Sequence, residues 1–73
     1  MSGIAAIGEE ARLAGYALAG AAVHPASDAD QVRSAWARLP DDVALLVLTD
    51  ASRAALGTLL GERPRLLWAV IPD

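Results

Sequence analysis

The sequence predicts an α/β fold with a parallel sheet, and two observations lead to that prediction. The first is the run Val43–Leu48, which is apolar at every position and ends at Thr49. A strand with one face in water would alternate apolar and polar residues, so an unbroken run indicates burial on both faces. The second is the helical segment near 50–60 that follows this strand at once. A doubly buried strand leading directly into a helix is the basic unit of a parallel α/β sheet.

The rest of the chain repeats this alternation of strand and helix. Strands connected through helices pair in parallel, by right-handed crossovers. The length of 73 residues fits a single domain that spans residues 1–73. The expected elements are strands near 4–7, 20–24, 43–48 and 66–71 and helices near 9–18, 28–39 and 50–60.

Residues that favour helix ends support these boundaries. Gly20 suits the C-terminal cap of the first helix. Ser27 begins a Ser-Asp-Ala-Asp segment with the spacing of a capping box, so it is the expected N-cap of the second helix. Thr49 or Asp50 can cap the third helix, and Gly61 is expected to end it.

Two helical stripes of apolar residues are the expected core of the helices. Their spacings of three and four place the members of each stripe on one helix face. Trp36 is the largest member, and we expect it to be buried against the sheet. The stripes consist of Ala29, Val32, Trp36 and Leu39 in the second helix and Ala51, Ala55, Leu56 and Leu59 in the third.

Composition argues against several classes of function. The net charge is −3, and the basic residues are six scattered arginines without lysine, so nucleic-acid binding is not expected. The sequence has no cysteine, which removes disulfides and thiolate metal sites and fits a cytoplasmic protein. The longest uncharged run, Leu13–Val23, is shorter than the ~20 residues of a membrane-spanning helix.

Motifs of catalysis and cofactor binding are not found in the sequence. Gly8 follows a strand as phosphate-binding loops do, but it is part of neither Gly-x-Gly-x-x-Gly nor a Walker motif. The single histidine, His24, belongs to no catalytic motif, and no serine lies in a Gly-x-Ser-x-Gly motif. We therefore expect no catalytic, cofactor-binding or metal-binding residues.

An alternative interpretation is a receiver-like or small-ligand-binding regulatory domain. Asp50 ends the central strand, where receivers carry their phosphoacceptor, and Glu9 and Glu10 would replace the acidic pair that holds magnesium. The simpler interpretation is that Asp50 caps its helix and that the glutamates interact with a helix dipole. A receiver also needs a lysine near its last strand, and this chain has none.

A more specific motif lies at the start of the chain. The segment Ile-Ala-Ala-Ile-Gly-Glu-Glu, residues 4–10, is followed by Gly-Tyr-Ala-Leu-Ala-Gly, residues 15–20. This pattern resembles the start of the F subunit of the V-type and archaeal A-type ATPases. Val43–Thr49 is similar to the central strand of that family, and Pro64 with Val-Ile-Pro at 70–72 is similar to its fourth strand. The resemblance covers essentially all 73 residues.

The resemblance implies both an architecture and a role. Family members have a small sheet of order 2-1-3-4 with helices on both faces, and they have no catalytic activity. They bind the long coiled coil of the D subunit in the central stalk of a proton- or sodium-translocating ATPase or ATP synthase, where they support coupling of ATP turnover to rotation. The implied location is cytoplasmic, peripheral to a membrane complex and without membrane insertion. The family continues into a C-terminal helix, so a chain ending at Asp73 corresponds to a short form.

The strand order also predicts a partner surface. With right-handed crossovers, the first helix lies on one face of the sheet and the other two lie on the opposite face. The single helix leaves the sheet under-covered, chiefly over the third and fourth strands, and the fourth strand is also a sheet edge. We expect this strand to contact either a rotor-shaft helix pair or a second copy of the chain. The expected interface residues are Leu66, Trp68, Val70 and Ile71.

Overall fold

The computed structural model describes residues 3–71, in which strands and helices alternate as the sequence predicts. A 3-10 helix, Gly57–Glu62, follows the third α-helix. The predicted α/β class is therefore confirmed; Pro72, the last residue of the proposed fourth-strand motif, lies outside the described residues. The elements are β1 (Gly3–Gly8), α1 (Glu10–Leu18), β2 (Ala22–Pro25), α2 (Ala29–Arg38), β3 (Val43–Leu48), α3 (Asp50–Leu56) and β4 (Leu67–Val70).

The four strands form one parallel sheet in the order β2-β1-β3-β4, which confirms the predicted order. The two central strands are β1 and β3. Ile7 in β1 pairs with His24 on one side and with Leu48 on the other. The edge strands β2 and β4 are short, at four residues each.

The helices divide between the two faces of the sheet as predicted. Trp36 of α2 and Leu56 of α3 pack with Leu46 and other sheet residues in one buried cluster. Leu13 of α1 packs with Ala6 and Val47 in a second cluster on the opposite face. Trp36 is 4% exposed, so its predicted burial is confirmed.

Two stripe positions were predicted wrongly. Ala29 and Ala51 are exposed, whereas Ala35 and Ser52 are buried. Ala29 and Ala51 lie in the first turns of their helices, at the end of the sheet. Ser52 can face the core because its hydroxyl accepts a hydrogen bond from the Thr49 hydroxyl at 2.9 Å, which satisfies a buried polar group.

Thr49 is confirmed as the N-cap of α3, because its Oγ1 accepts from the Ser52 N–H at 3.1 Å. For α2 the predicted cap is wrong by one residue. Asp28 is the N-cap and accepts from the Gln31 N–H at 2.8 Å. Ser27, the residue before the cap, donates its N–H to Gln31 Oε1 at 2.7 Å. In a capping box this bond would come from the N–H of the cap residue itself, so the predicted capping box is not formed.

The predicted ends of the first and third helices have different outcomes. Gly20 follows the cap residue of α1 with φ of 99°, a conformation that favours glycine, and this agrees with its predicted role. The third helix, however, ends at Leu56 rather than near Gly61. Gly57 has φ of 51° and interrupts the α-helix, after which the chain continues as a 3-10 helix. Leu59 and Leu60 still pack against the α2 and α3 core from this segment.

Candidate functional site

A cleft lies at the carboxyl ends of the strands, where the chain leaves β1 and β3 toward opposite faces of the sheet. Such a switch point is the usual ligand site of open α/β sheets. The cleft has a volume of about 650 Å³. Its polar lining comes from the loops after β1, β2 and β3 and the helix starts beyond them: Glu9, Arg12, Ser27, Asp28, Thr49, Asp50 and Ser52.

Gly8 and Thr49 make a close contact beside this cleft. A Cβ added to Gly8 would lie 2.5 Å from Cγ2 of Thr49, a distance that side chains do not tolerate. Thr49 is itself 5% exposed and hydrogen-bonded to Ser52. Gly8 is therefore needed for close packing between the ends of the two central strands. No phosphate-binding role is needed to explain it.

The acidic residues of the receiver-like interpretation do not come together in one site. Glu9 and Asp50 both line the cleft and are exposed. Glu10, however, lines a different groove, between α1 and β2. Among residues 3–71, no cluster of three or more histidine, cysteine, aspartate or glutamate residues could hold a metal ion. Only one of the two glutamates that this interpretation treats as a pair therefore lines the cleft.

A second surface lies on the face of the sheet that carries α1; we call it the α1 face. Leu45 pairs with Ile4 on one side and with Leu67 on the other, so the three residues form one row across β1, β3 and β4. Ile4 is 46% exposed and Leu67 is 70% exposed. This row is a contiguous apolar surface in contact with solvent.

The structure distributes the four predicted interface residues over both faces. Leu66 and Val70 pack against the α2 and α3 core, whereas Ile71 packs against the cluster around Leu13. Trp68 pairs with Leu46 and is 40% exposed, with the Arg53 guanidinium of α3 at 5.7 Å from its ring. Whether these residues bind a partner stays a prediction.

The bare part of the α1 face is formed by Leu67 and Ala69 in β4, which the sequence pattern did not single out. The alternate residues Trp68 and Val70 face α2 and α3 because their partners in β3, Leu46 and Leu48, belong to that core. A strand that is apolar at every position gives no sign of which alternate set faces which side. Only the register with β3 supplies that information.

Comparison of the chain with family models, with curated proteins and with solved structures gave no match. Within residues 3–71, none of the helices combines the length and apolar character needed to cross a membrane. The assignment to the F-subunit family of rotary ATPases therefore stays a prediction that depends on the motifs. The contacts described above are the basis on which a function can be argued.

Proposed function

We propose that this chain is a non-catalytic subunit of a V-type or A-type rotary ATPase or ATP synthase, equivalent to the F subunit of the central stalk. Its role is to bind a coiled coil like that of the D subunit and so support coupling of ATP turnover to rotation. In this role the chain is cytoplasmic and peripheral to the membrane complex.

The observation that carries the proposal is the contact between Gly8 and Thr49. Both belong to the segments that resemble the F subunit, yet they are far apart in the sequence. Their close approach gives a physical reason for a glycine at the end of the first strand and a threonine after the central strand. The sheet order β2-β1-β3-β4, which the same resemblance implies, also supports the proposal.

The contact with the coiled coil is assigned to the edge of the sheet at β4. An edge strand has backbone groups that are free to pair or to be covered. Trp68 is the large side chain at this edge, and aromatic anchors of this kind dominate the affinity of many interfaces. Leu66, Val70 and Ile71, in β4 or next to it, are half-buried and hold the strand in place. Leu66 and Val70 pack against the α2 and α3 core, and Ile71 packs against the cluster around Leu13.

The test is binding of the purified chain to a long two-helix coiled coil like that of the D subunit, measured by titration. Trp68→Glu should weaken binding by about tenfold or more, because it removes an anchor and places a charge at the contact. Ala37→Glu, at an exposed position of α2, is the matched control and should bind as the wild type does. Circular dichroism should show both variants folded.

Two results would contradict this proposal. A wild-type chain that does not bind the coiled coil would contradict the function, and a Trp68→Glu variant with unchanged affinity would contradict the assigned surface. An independent check is the set of neighbouring reading frames. We expect them to encode the A, B and D subunits of the same ATPase.

A receiver-like or ligand-binding domain is the second candidate, and the cleft at the switch point is the observation that favours it. Asp50, at the start of α3, would be its phosphoacceptor. Incubation with acetyl phosphate would add a phosphoryl group to the wild type and not to Asp50→Asn. Intact-mass measurement without any added phosphoryl group would exclude the receiver chemistry.

A further inference from the structure

The outer side of α1 is unusual for a helix at a protein surface. Along α1, which lies entirely within the described residues, Leu13 is the one buried position. The side opposite Leu13 is formed by Ala11, Gly15 and Leu18, which are all uncharged and exposed. Leu18 is 92% exposed. A surface helix normally has charged or polar residues on its outer side, whereas a helix that is apolar on both sides is usually covered on both.

The sheet beneath α1 is covered over only half of its width. Within residues 3–71, α1 packs mainly on β1 and β2 and reaches β3 only where Leu13 covers Val47, and no other helix lies on this face. The half formed by β3 and β4 therefore exposes Leu67 and Ala69, next to the half-buried Leu45. The α1 face thus has a covered half, under a helix whose outer side is uncharged, and a bare half whose exposed residues are apolar.

We propose that two copies of this chain associate through their α1 faces, with α1 of each copy lying on the bare β3–β4 half of the other. The two helices then lie side by side in one layer between the two sheets. Each α1 contacts its own sheet through Leu13 and the partner's sheet through its outer side. Such an interface uses the same surface on both copies, as two-fold symmetry requires.

The positions of the exposed side chains along the strand direction agree with this arrangement. A two-fold axis that places α1 of each copy on the bare half of the other must run parallel to the strands. Rotation about this axis does not change the position of a residue along the strand direction. Leu18 is in the last turn of α1, close to the start of β2, and Leu67 is the first residue of β4. Both are at the amino end of the strands. The axis therefore brings Leu18 of one copy onto Leu67 of the other.

A second copy accounts for the surface better than one helix of a different protein. A single foreign helix would cover the bare half of the sheet and leave Leu18 and the outer side of α1 in water. Two copies cover both halves at once. A stable interface buries about 800 Å² on each partner, roughly a sixth of the 4600 Å² surface of this chain, which one broad face can supply.

The experiment is sedimentation equilibrium of the isolated full chain over a range of concentrations, without any partner protein. We expect the wild type to have twice the 7.5 kDa mass of one chain. Leu18→Glu and Leu67→Glu should each raise the dimer dissociation constant by about tenfold or more, because each places two charges in the apolar layer. Ala37→Glu adds the same charge on exposed α2 and should leave the dimer unchanged.

Both substituted leucines are more than two-thirds exposed, so the variants should stay folded, which circular dichroism can check. The double variant Leu18→Glu with Leu67→Arg tests the pairing itself. In the proposed dimer each glutamate meets an arginine of the other copy. The double variant should therefore dimerise more tightly than Leu18→Glu alone or Leu67→Arg alone. Failure of this rescue in a folded protein would overturn the assigned pairing.

A wild type that stays monomeric at millimolar concentration would overturn the proposal. A dimer that resists both leucine substitutions but dissociates in Trp68→Glu would also overturn it and would assign association to the β4 edge. A monomer whose binding to a coiled coil is lost in Leu67→Glu would overturn it as well and assign the α1 face to that partner. Because self-association is measured without the coiled coil, its outcome is independent of the rotary-ATPase proposal.

Discussion

Gly8 is the residue whose size matters most in the close packing of β1 against the end of β3. A methyl group there would overlap Cγ2 of Thr49, which is buried and tied to Ser52. We expect Gly8→Ala to lower the free energy of unfolding by about 1–3 kcal/mol through overpacking. Chemical denaturation monitored by fluorescence measures this loss.

Two further variants give this prediction its controls. Thr49→Ser removes Cγ2 but keeps the hydroxyl that caps α3, so it should recover part of the loss when combined with Gly8→Ala. Gly15→Ala, in the exposed part of α1, meets no atom within 4 Å and should stabilise the helix by up to about 1 kcal/mol. Equal effects of alanine at positions 8 and 15 would refute the packing argument.

Trp36 is the largest side chain of the core between the sheet and α2. It is 4% exposed, and the Arg63 guanidinium lies 4.9 Å from its ring. We expect Trp36→Ala to cost about 3–5 kcal/mol, which approaches the whole stability of a small domain. Thermal melting measures the effect. The half-exposed Trp68 is the comparison, and Trp68→Ala should lower the melting temperature much less.

At the scale of the elements, the start of α2 depends on Asp28. Its carboxylate accepts from the Gln31 N–H at 2.8 Å, so Asp28→Ala should lower stability by about 1 kcal/mol. Ser27→Ala is the matched control. It keeps the backbone bond from Ser27 to Gln31 and removes only an exposed hydroxyl contact, so its effect should stay below about 0.5 kcal/mol. Urea denaturation curves of the two variants should separate clearly.

Arg63, in the segment between α3 and β4, forms hydrogen bonds to the backbone at the end of α2. Arg63 donates to the backbone carbonyls of Trp36 at 3.1 Å and Pro40 at 3.4 Å. Arg63→Ala should therefore cost about 1–3 kcal/mol, because it removes two hydrogen bonds from a charged group and the guanidinium that covers the Trp36 indole. Arg65→Ala removes an exposed arginine of the same segment and should have little effect. Similar losses in the two variants, measured by urea denaturation, would contradict the specific role of Arg63.

The number and order of the strands and α-helices could be predicted from sequence because apolar runs and helical stripes are strong local signals, whereas the 3-10 helix at Gly57–Glu62 was not predicted. The boundaries were less predictable where two signals compete. Gly57 and Gly61 both fit a helix end, and nothing local indicates that the chain turns at the first of them. Ser27 and Asp28 are both good caps and both bond to Gln31, but Asp28 accepts from its backbone N–H whereas Ser27 bonds only to its side chain.

At the scale of the whole molecule, the central strands should be the most stable part of the sheet. The amides of β1 and β3 lie between paired neighbours, whereas β2 and β4 each have one free edge. We therefore expect hydrogen exchange to be slowest for residues such as Ile7 and Leu46, which are fully buried. Exchange followed by NMR measures this order. Slower exchange in β4 than in β1 for the isolated chain would contradict it.

The site was less predictable than the fold. The under-covered face follows from the strand order, which the resemblance supplied. The residues on it do not follow, because a one-residue change of register moves every side chain of a strand to the other face. Leu67 rather than Trp68 is on that face because Leu67 pairs with Leu45. The outer side of α1 could have been noticed in the sequence, since Ala11, Gly15 and Leu18 share one side of the helix and none is polar.

The pairing of β1 with β3 has a consequence for how the chain folds. Ile7 and Leu48 are neighbours in the sheet, but the chain must close a loop of about forty residues to bring them together. Both buried clusters contain residues of β1 and β3, so both depend on this distant pairing. Pairing of β1 with β2 alone would leave Ile7 without its buried neighbours from β3. Formation of this contact should limit the rate, so the molecule should fold in a single slow step and not helix by helix.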